Sequence, residues 1–411
     1  MTEALAQRIS TASPEARERT LALAARLSIA GMTAAIAVFG YTSETLRYFY
    51  PLLLLSAGVY VLVRGERLVV PLLRYLTSPL LRWRWAFLLW AAASLFWTAR
   101  TGNSVARVVT LLQIHAIGFL FYDAVRELDL GRWVLRNLFA WTAVGVLAAL
   151  VTGVGTAAGR LTGFYGNPNV LSLAALMGLT IFASGMSLGR GGWGRVATQL
   201  AGLVLLAGVA AASSRKGLIG VPIIWLLGLI GSRSRRRVAV QIALVAAIGA
   251  ALVMTFEPLR VLWQFTIARV ADVFVSLSSR SGGTRSVVER VTFVKEGVAL
   301  IGRSPIIGHG IGSFRWLAGQ GKYAHNNMID LGVGLGLIGL ILYYGLHASL
   351  MFRAFLIGRT ARTIRRFTLV FIPTFAILDI GVVSYYMKAP VILLVVCAAW
   401  LDRAAANGAR S

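Results

Sequence analysis

Twelve apolar runs, each close to the length needed to cross a hydrocarbon core of about 30 Å, constrain this chain more than any other feature. They lie near 22–40, 48–64, 84–99, 105–123, 133–152, 168–187, 195–213, 216–231, 238–255, 326–350, 367–386 and 389–403. The third and the last are short and the break at 213–216 is tight, so the count ranges from eleven to thirteen. Lipid offers no hydrogen-bond partners, so each run must satisfy its own backbone as a helix. The expected fold is an all-α polytopic membrane protein of about 12 transmembrane helices, with one large helical loop before the tenth. Charged residues make up 14% of the 411, against about 25% in a soluble domain. Three regions follow: residues 1–255, an N-terminal bundle of about nine spans; 256–325, an exterior loop domain; and 326–411, the C-terminal helices and tail.

The net charge of +26 comes from 41 Lys and Arg against 15 acids. In a soluble protein this would suggest nucleic acid. Here the charges are scattered over short loops, which makes most of the arginines topology determinants and excludes a nucleic-acid face. Dense sets at Arg64, Arg67, Arg74, Arg82 and Arg84, at Arg233, Arg235, Arg236 and Arg237, and at Arg353, Arg359, Arg362, Arg365 and Arg366 assign those loops, and both termini, to the cytoplasm. The long 256–325 segment is then exterior, periplasmic in a Gram-negative cell. No cleavable signal is visible in the first 20 residues, so the first span serves as the insertion signal. The single Cys397 says nothing about compartment.

One departure from the positive-inside rule is informative. All four lysines, Lys216, Lys295, Lys322 and Lys388, map to the exterior side with Arg160, Arg215, Arg260, Arg269, Arg280, Arg285, Arg290, Arg303 and Arg315. Orientation does not explain cations there; an anionic ligand does. Within the loop, apolar residues at helical spacing from 258 to 279 predict an amphipathic helix on the membrane face. A second helix is expected from Thr284 to Ile301, followed by a constrained stretch through Pro305, Gly308, Gly310 and Gly312.

The exterior compartment lacks nucleotides, so a donor must arrive already activated through the membrane, and a polyprenyl diphosphate fits. Arginines stabilise the charge that grows on such a leaving group. Exterior carboxylates are few and form no Asp-x-Asp pair, which favours a metal-free, cofactor-free site. His325, at the water–membrane boundary, is the candidate general base, its imidazole kept neutral by nearby guanidinium groups. Alternatively it caps or anchors the following helix. Arg215 competes with simple snorkelling. His309 reads as a loop residue, and His115 and His347 as structural. Asp379, inside a span, is a functional candidate or a helix–helix hydrogen-bond partner. Asp379 and Asp123 are read as the acids near spans.

Four ordered motifs carry a resemblance: Gly166-Asn167-Pro168-Asn169; Ser214-Arg215-Lys216-Gly217; Arg290 fifteen residues before Pro305-Ile306-Ile307-Gly308-His309-Gly310-Ile311-Gly312; and His325-Asn326 with Gly336 and Gly339. With them the chain resembles the O-antigen ligase / O-antigen polymerase superfamily, the ligase branch in particular. Lys216, and Phe293 with Val294 where many members carry tryptophan, depart from that pattern. The resemblance implies metal-independent, inverting transfer of a glycan from undecaprenyl diphosphate to a sugar hydroxyl of lipid A–core oligosaccharide, on the outer face of the inner membrane. Arg215 and Arg290 would hold the diphosphate and His325 would activate the acceptor. Lys216, Arg285, Arg160, Lys388, Asn169 and Asn326 are the candidate substrate-binding residues. A polymerase of O-antigen or exopolysaccharide, a protein O-glycosyltransferase and a polyprenyl-glycan transporter are the alternatives.

Overall fold

The computed structural model describes residues 13–40, 46–154, 160–189, 191–230, 285–319, 321–357 and 361–408, with isolated positions within 240–264. Among them the chain is helical, without a β-strand. The helices are α1 (Pro14–Ala34, continued by a π-turn Ala35–Phe39), α2 (Leu46–Arg64), α3 (Val69–Thr77), α4 (Arg82–Ala93), α5 (Thr101–Arg126), α6 (Gly131–Thr152), α7 (Pro168–Ala183), α8 (Gly191–Ala212), α9 (Arg215–Ile230), α10 (Arg285–Arg303), α11 (Phe314–Leu317), α12 (Asn327–Leu356), α13 (Arg362–Leu378) and α14 (Lys388–Gly408).

Six of these are long and apolar enough to cross a membrane: Glu18–Phe39, Thr101–Arg126, Gly131–Thr152, Gly191–Ala212, Asn327–Leu356 and Lys388–Asn407. Their apolar outer faces make this a helical membrane protein. The expected twelve spans are met only in part. The run at 84–99 forms α4, twelve residues long and about 18 Å at 1.5 Å per residue, ending in a 3₁₀ turn. The runs at 168–187 and 216–231 form the 16-residue helices α7 and α9. The run at 238–255 and the amphipathic segment at 258–279 lie outside the described residues. The second loop helix runs Arg285–Arg303, where the sequence suggests Thr284–Ile301.

Burial follows composition. Every residue of α7 from Leu171 to Ala183 is buried, and an apolar helix with no polar stripe belongs in the centre of a bundle. By contrast, Leu54, Leu55 and Leu62 on α2 and Val144, Leu147 and Val151 on α6 are exposed, as lipid-facing positions are. The main core joins α1, α2, α5, α6, α7, α13 and α14.

Helix α5, 26 residues long and about 39 Å by its rise, separates two chemically different ends. At its C-terminal end the arginines have acidic partners. Arg64 grips Asp123 with two bonds of 2.8 Å while Tyr60 donates to the same carboxylate at 2.6 Å. Arg74 pairs with Glu127, Arg126 with Asp402 and Arg403 with Asp129. Asp123 is therefore a structural anchor. At the N-terminal end Ser104 donates to the Ile311 carbonyl at 2.7 Å, tying α5 to the glycine-rich loop and so to the site.

Candidate active site

Helix α12 is broken at its tenth residue. Gly336 has φ 64° and ψ −164°, a region that essentially only glycine enters. A break inside a bundle frees backbone groups that cost about 1–3 kcal/mol each if left unpaired. The stretch after α10 takes them up: Leu337 N–H donates to Pro305 O at 2.8 Å, Ile338 N–H to Ile306 O at 3.3 Å, and His309 N–H to Val333 O at 2.8 Å. Trp90 Nε1 donates to Leu335 O at 3.0 Å. The backbones come so close that a Cβ on Gly336 would stand 2.2 Å from Ile306 O, and one on Gly308 2.5 Å from Gly334 O. The glycines of the third and fourth motifs thus belong to one crossing. His309 completes it, its Nε2 at 2.9 Å from Leu300 O, and is structural.

His325 sits on the upper lip of this crossing, just before α12. Its φ of 55° is left-handed, a conformation that costs a non-glycine residue about 1 kcal/mol or more. The neighbours hold it there. The Tyr323 ring lies 4.1 Å from the imidazole centroid and Phe293 stacks at 6.2 Å with an interplanar angle of 6°. The cap of α12 is Asn326, whose Oδ1 accepts from Met328 N at 2.9 Å and Ile329 N at 3.1 Å. The capping alternative therefore falls to Asn326, and His325 is left to face its surroundings. Burial first, then Lys216 and Arg290, lower its pKa to about 4, with Glu289 opposing and Lys322 adding a little. The imidazole is neutral at physiological pH, as a general base requires. Lys322 itself is ion-paired to Glu289.

Below His325, buried polar groups fix the start of α12. Asn327 N–H donates to Asp379 O at 2.8 Å, and Asn327 Nδ2 to Asp379 Oδ2 at 3.2 Å. Its Oδ1 accepts from Ser384 N at 2.9 Å and Tyr385 N at 3.2 Å. Tyr344 and Ser384 hydroxyls complete the Asp379 carboxylate. Asp379 is thus the interhelical hydrogen-bond partner of the two readings open in the sequence. The same 379–387 turn carries Gly381, whose Cβ would stand 3.0 Å from Lys216 Cε, so the Lys216 stem lies against it.

The first two motifs meet here as well. Asn167 caps α7, accepting from Asn169 N at 2.8 Å, and Asn169 Oδ1 accepts from Ser214 Oγ at 3.0 Å. Gly217 leaves room for Ser172, whose Oγ would be 2.4 Å from a Cβ. Arg160 Nε donates to Ala212 O at 3.1 Å. Asn169 and Arg160 therefore brace the Ser213–Lys216 junction from which Arg215 and Lys216 project. Lys216 and Arg290 act on each other and on His325, although 109 residues separate Lys216 from His325 in sequence. Arg285 opens α10, and its side chain lies outside the described residues. Lys388 stands over the Phe49 and Tyr50 rings at 4.8 and 6.0 Å. His115 and His347 bond to the Leu111 and Tyr343 carbonyls inside the bundle.

Residues 200–344 match the family model described as O-antigen ligase. This segment, about a third of the chain, is similar to the O-antigen ligase family. It spans α9, α10, the crossing and His325, and so bears out the resemblance, covering three of the four motifs that carry it. No curated protein matches the chain.

Sequence reasoning missed two groups that border this site. Asp330 is 5% exposed and accepts from Tyr385 OH at 3.2 Å; it is a further acid beside the two read near spans. Arg107, within the run at 105–123, lies over the Tyr386 ring at 3.6 Å. An arginine inside an apolar run was the available signal.

Proposed function

We propose that the protein transfers a glycan from undecaprenyl diphosphate to a sugar hydroxyl of lipid A–core oligosaccharide, at the periplasmic face of the inner membrane. The observation that carries this reading is the convergence of Lys216 on α9, Arg290 on α10 and a neutral, ring-packed His325 in the turn before α12. The similarity of residues 200–344 to the O-antigen ligase family supports the class of reaction.

The acceptor oxygen forms a bond to the anomeric carbon of the donor as the anomeric C–O bond to the diphosphate breaks. That bond's electron pair leaves on undecaprenyl diphosphate, and the acceptor proton passes to the His325 imidazole. Arg290, Arg215 and Lys216 bind the leaving diphosphate, where guanidinium and ammonium groups stabilise the growing charge. One direct displacement inverts the anomeric centre. We assign no metal to the step, and activity in a chelator tests that assignment.

A broken helix is also a transporter feature, because unwound backbone there coordinates substrate or ions. In α12 the freed groups are instead bonded to Pro305, Ile306, His309 and Trp90, which favours an enzyme. The decisive experiment uses purified protein, a synthetic undecaprenyl-diphosphate glycan, lipid A–core and chelator. His325→Ala and Arg290→Ala should fold and lose transfer, the histidine change by about 10²–10⁴-fold. Full activity in either variant refutes the roles. A deletion strain separates ligase from polymerase. Rough lipopolysaccharide with long carrier-linked glycans indicates the ligase, and lipopolysaccharide bearing a single repeat the polymerase.

A further inference from the structure

A cavity of ≈ 150 Å³ opens beside the His325 cluster and is lined by Asn103, Arg107, Thr110, Arg315, Trp316, Tyr323 and Asp330 among others. That volume is on the order of ten times what one water needs. Its construction is specific. Asn103, Arg107 and Thr110 stand at i, i+4 and i+7, on one face of α5. Arg107 is held over Tyr386 and interacts with Asp330, whose carboxylate is in turn fixed by Tyr385. From the opposite wall Arg315 reaches in, bonded through Nε to Gly321 O, and the Trp316 indole lies 5.1 Å from the Arg100 guanidinium and 5.5 Å from that of Arg315. Asp330 offsets one of the two lining arginines, so the cavity keeps a positive balance. Tyr323 lines it and also packs on His325 at 4.1 Å. A ligand here would therefore lie next to the base, with the Lys216–Arg290 side left to the diphosphate.

We propose that this cavity is the acceptor subsite and takes a sugar bearing a phosphate or carboxylate, placing a neighbouring hydroxyl near His325. The proposal rests on the glycosyl-transfer reading. The amides and hydroxyls of Asn103, Thr110 and Tyr323 suit sugar hydroxyls, and Arg315 and Arg107 suit the anionic substituent. Arg107 is partly buried under Tyr386, and removing it risks the fold; Arg315 and Trp316 are exposed and can be changed safely.

The test is steady-state transfer with purified full-length Arg315→Ala and Trp316→Ala, using phosphorylated lipid A–core and the same acceptor after phosphatase treatment. Loss of a charge-assisted contact is expected to raise the acceptor KM about tenfold in Arg315→Ala, with the donor KM unchanged. Wild type given dephosphorylated acceptor should behave like that variant. An unchanged acceptor KM, or a rise in the donor KM instead, overturns the assignment. Direct binding of each acceptor without donor separates the two readings. Phosphate-dependent binding that Arg315→Ala weakens, with no transfer by wild type, supports the subsite and sinks the reaction; wild type that binds neither acceptor sinks the subsite.

Discussion

The sharpest consequence of the site geometry concerns the protonation of His325. With its pKa lowered to about 4, against an ordinary value near 6.5, the imidazole binds a proton roughly 300-fold more weakly than a free histidine. At pH 7 about one molecule in a thousand carries the imidazolium form, where a free histidine would be about one-quarter protonated. The acid limb of kcat/KM, which reports the free enzyme, should accordingly fall near pH 4 and not near 6.5. Because burial is the largest cause and the cations come after it, Arg290→Gln should raise the midpoint by no more than about one unit. An anionic ligand works in the same direction, so inorganic pyrophosphate should also raise it, and the acid limb of kcat, which reports the complex, should lie above that of kcat/KM. Carbethoxylation of the His325 peptide, followed by mass spectrometry from pH 3.5 to 8, measures the free-protein titration, since only neutral imidazole reacts. A wild-type midpoint between 6 and 7, or a midpoint insensitive to both Arg290→Gln and pyrophosphate, would refute the reasoning.

Other consequences are more local. Gly336→Ala puts a Cβ 2.2 Å from Ile306 O and should cost about 3 kcal/mol or more from backbone strain and lost pairing, read as a large drop in Tm in detergent. Asn326→Ala should lower stability by about 1 kcal/mol with Asn326→Asp restoring it, and a loss of transfer in both variants at full stability would instead mark Asn326 as a substrate ligand. Asp379→Ala strips the partners of Asn327, Tyr344 and Ser384 and should lower both Tm and kcat by disordering the start of α12; unchanged kcat would detach that network from His325.

Much of this architecture was legible from apolar periodicity and motif order, and the reasons differ by element. The runs that became α5, α6 and α8 each fill the hydrocarbon thickness without help, so length alone identified them. The 84–99 run forms a shorter α-helix than its length suggests, because its last residues leave the helix through a 3₁₀ turn and Ser94 Oγ accepts from Ile311 N at 3.1 Å. That is a tertiary contact with no local signature. Arg107 and Asp330 were hidden for a related reason. A single charge in an apolar run looks like a minor blemish in the sequence, and only packing shows that two such blemishes, 223 positions apart, line one cavity.

The motif glycines show most clearly what one-dimensional spacing hides. Read in sequence, Gly308 ends a loop and Gly336 interrupts a helix, and each by itself is a weak marker. In the folded chain they face each other across a backbone contact in which Gly308 approaches Gly334 and Gly336 approaches Ile306. The break sets where α12 begins its long lower half, and the upper half, Asn327 to Leu335, becomes a short rigid post for His325. Shortening the 305–312 stretch by one residue would move the carbonyls of Pro305 and Ile306 out of register with Leu337 and Ile338. Such a deletion should therefore abolish transfer even where every charged residue of the site is intact.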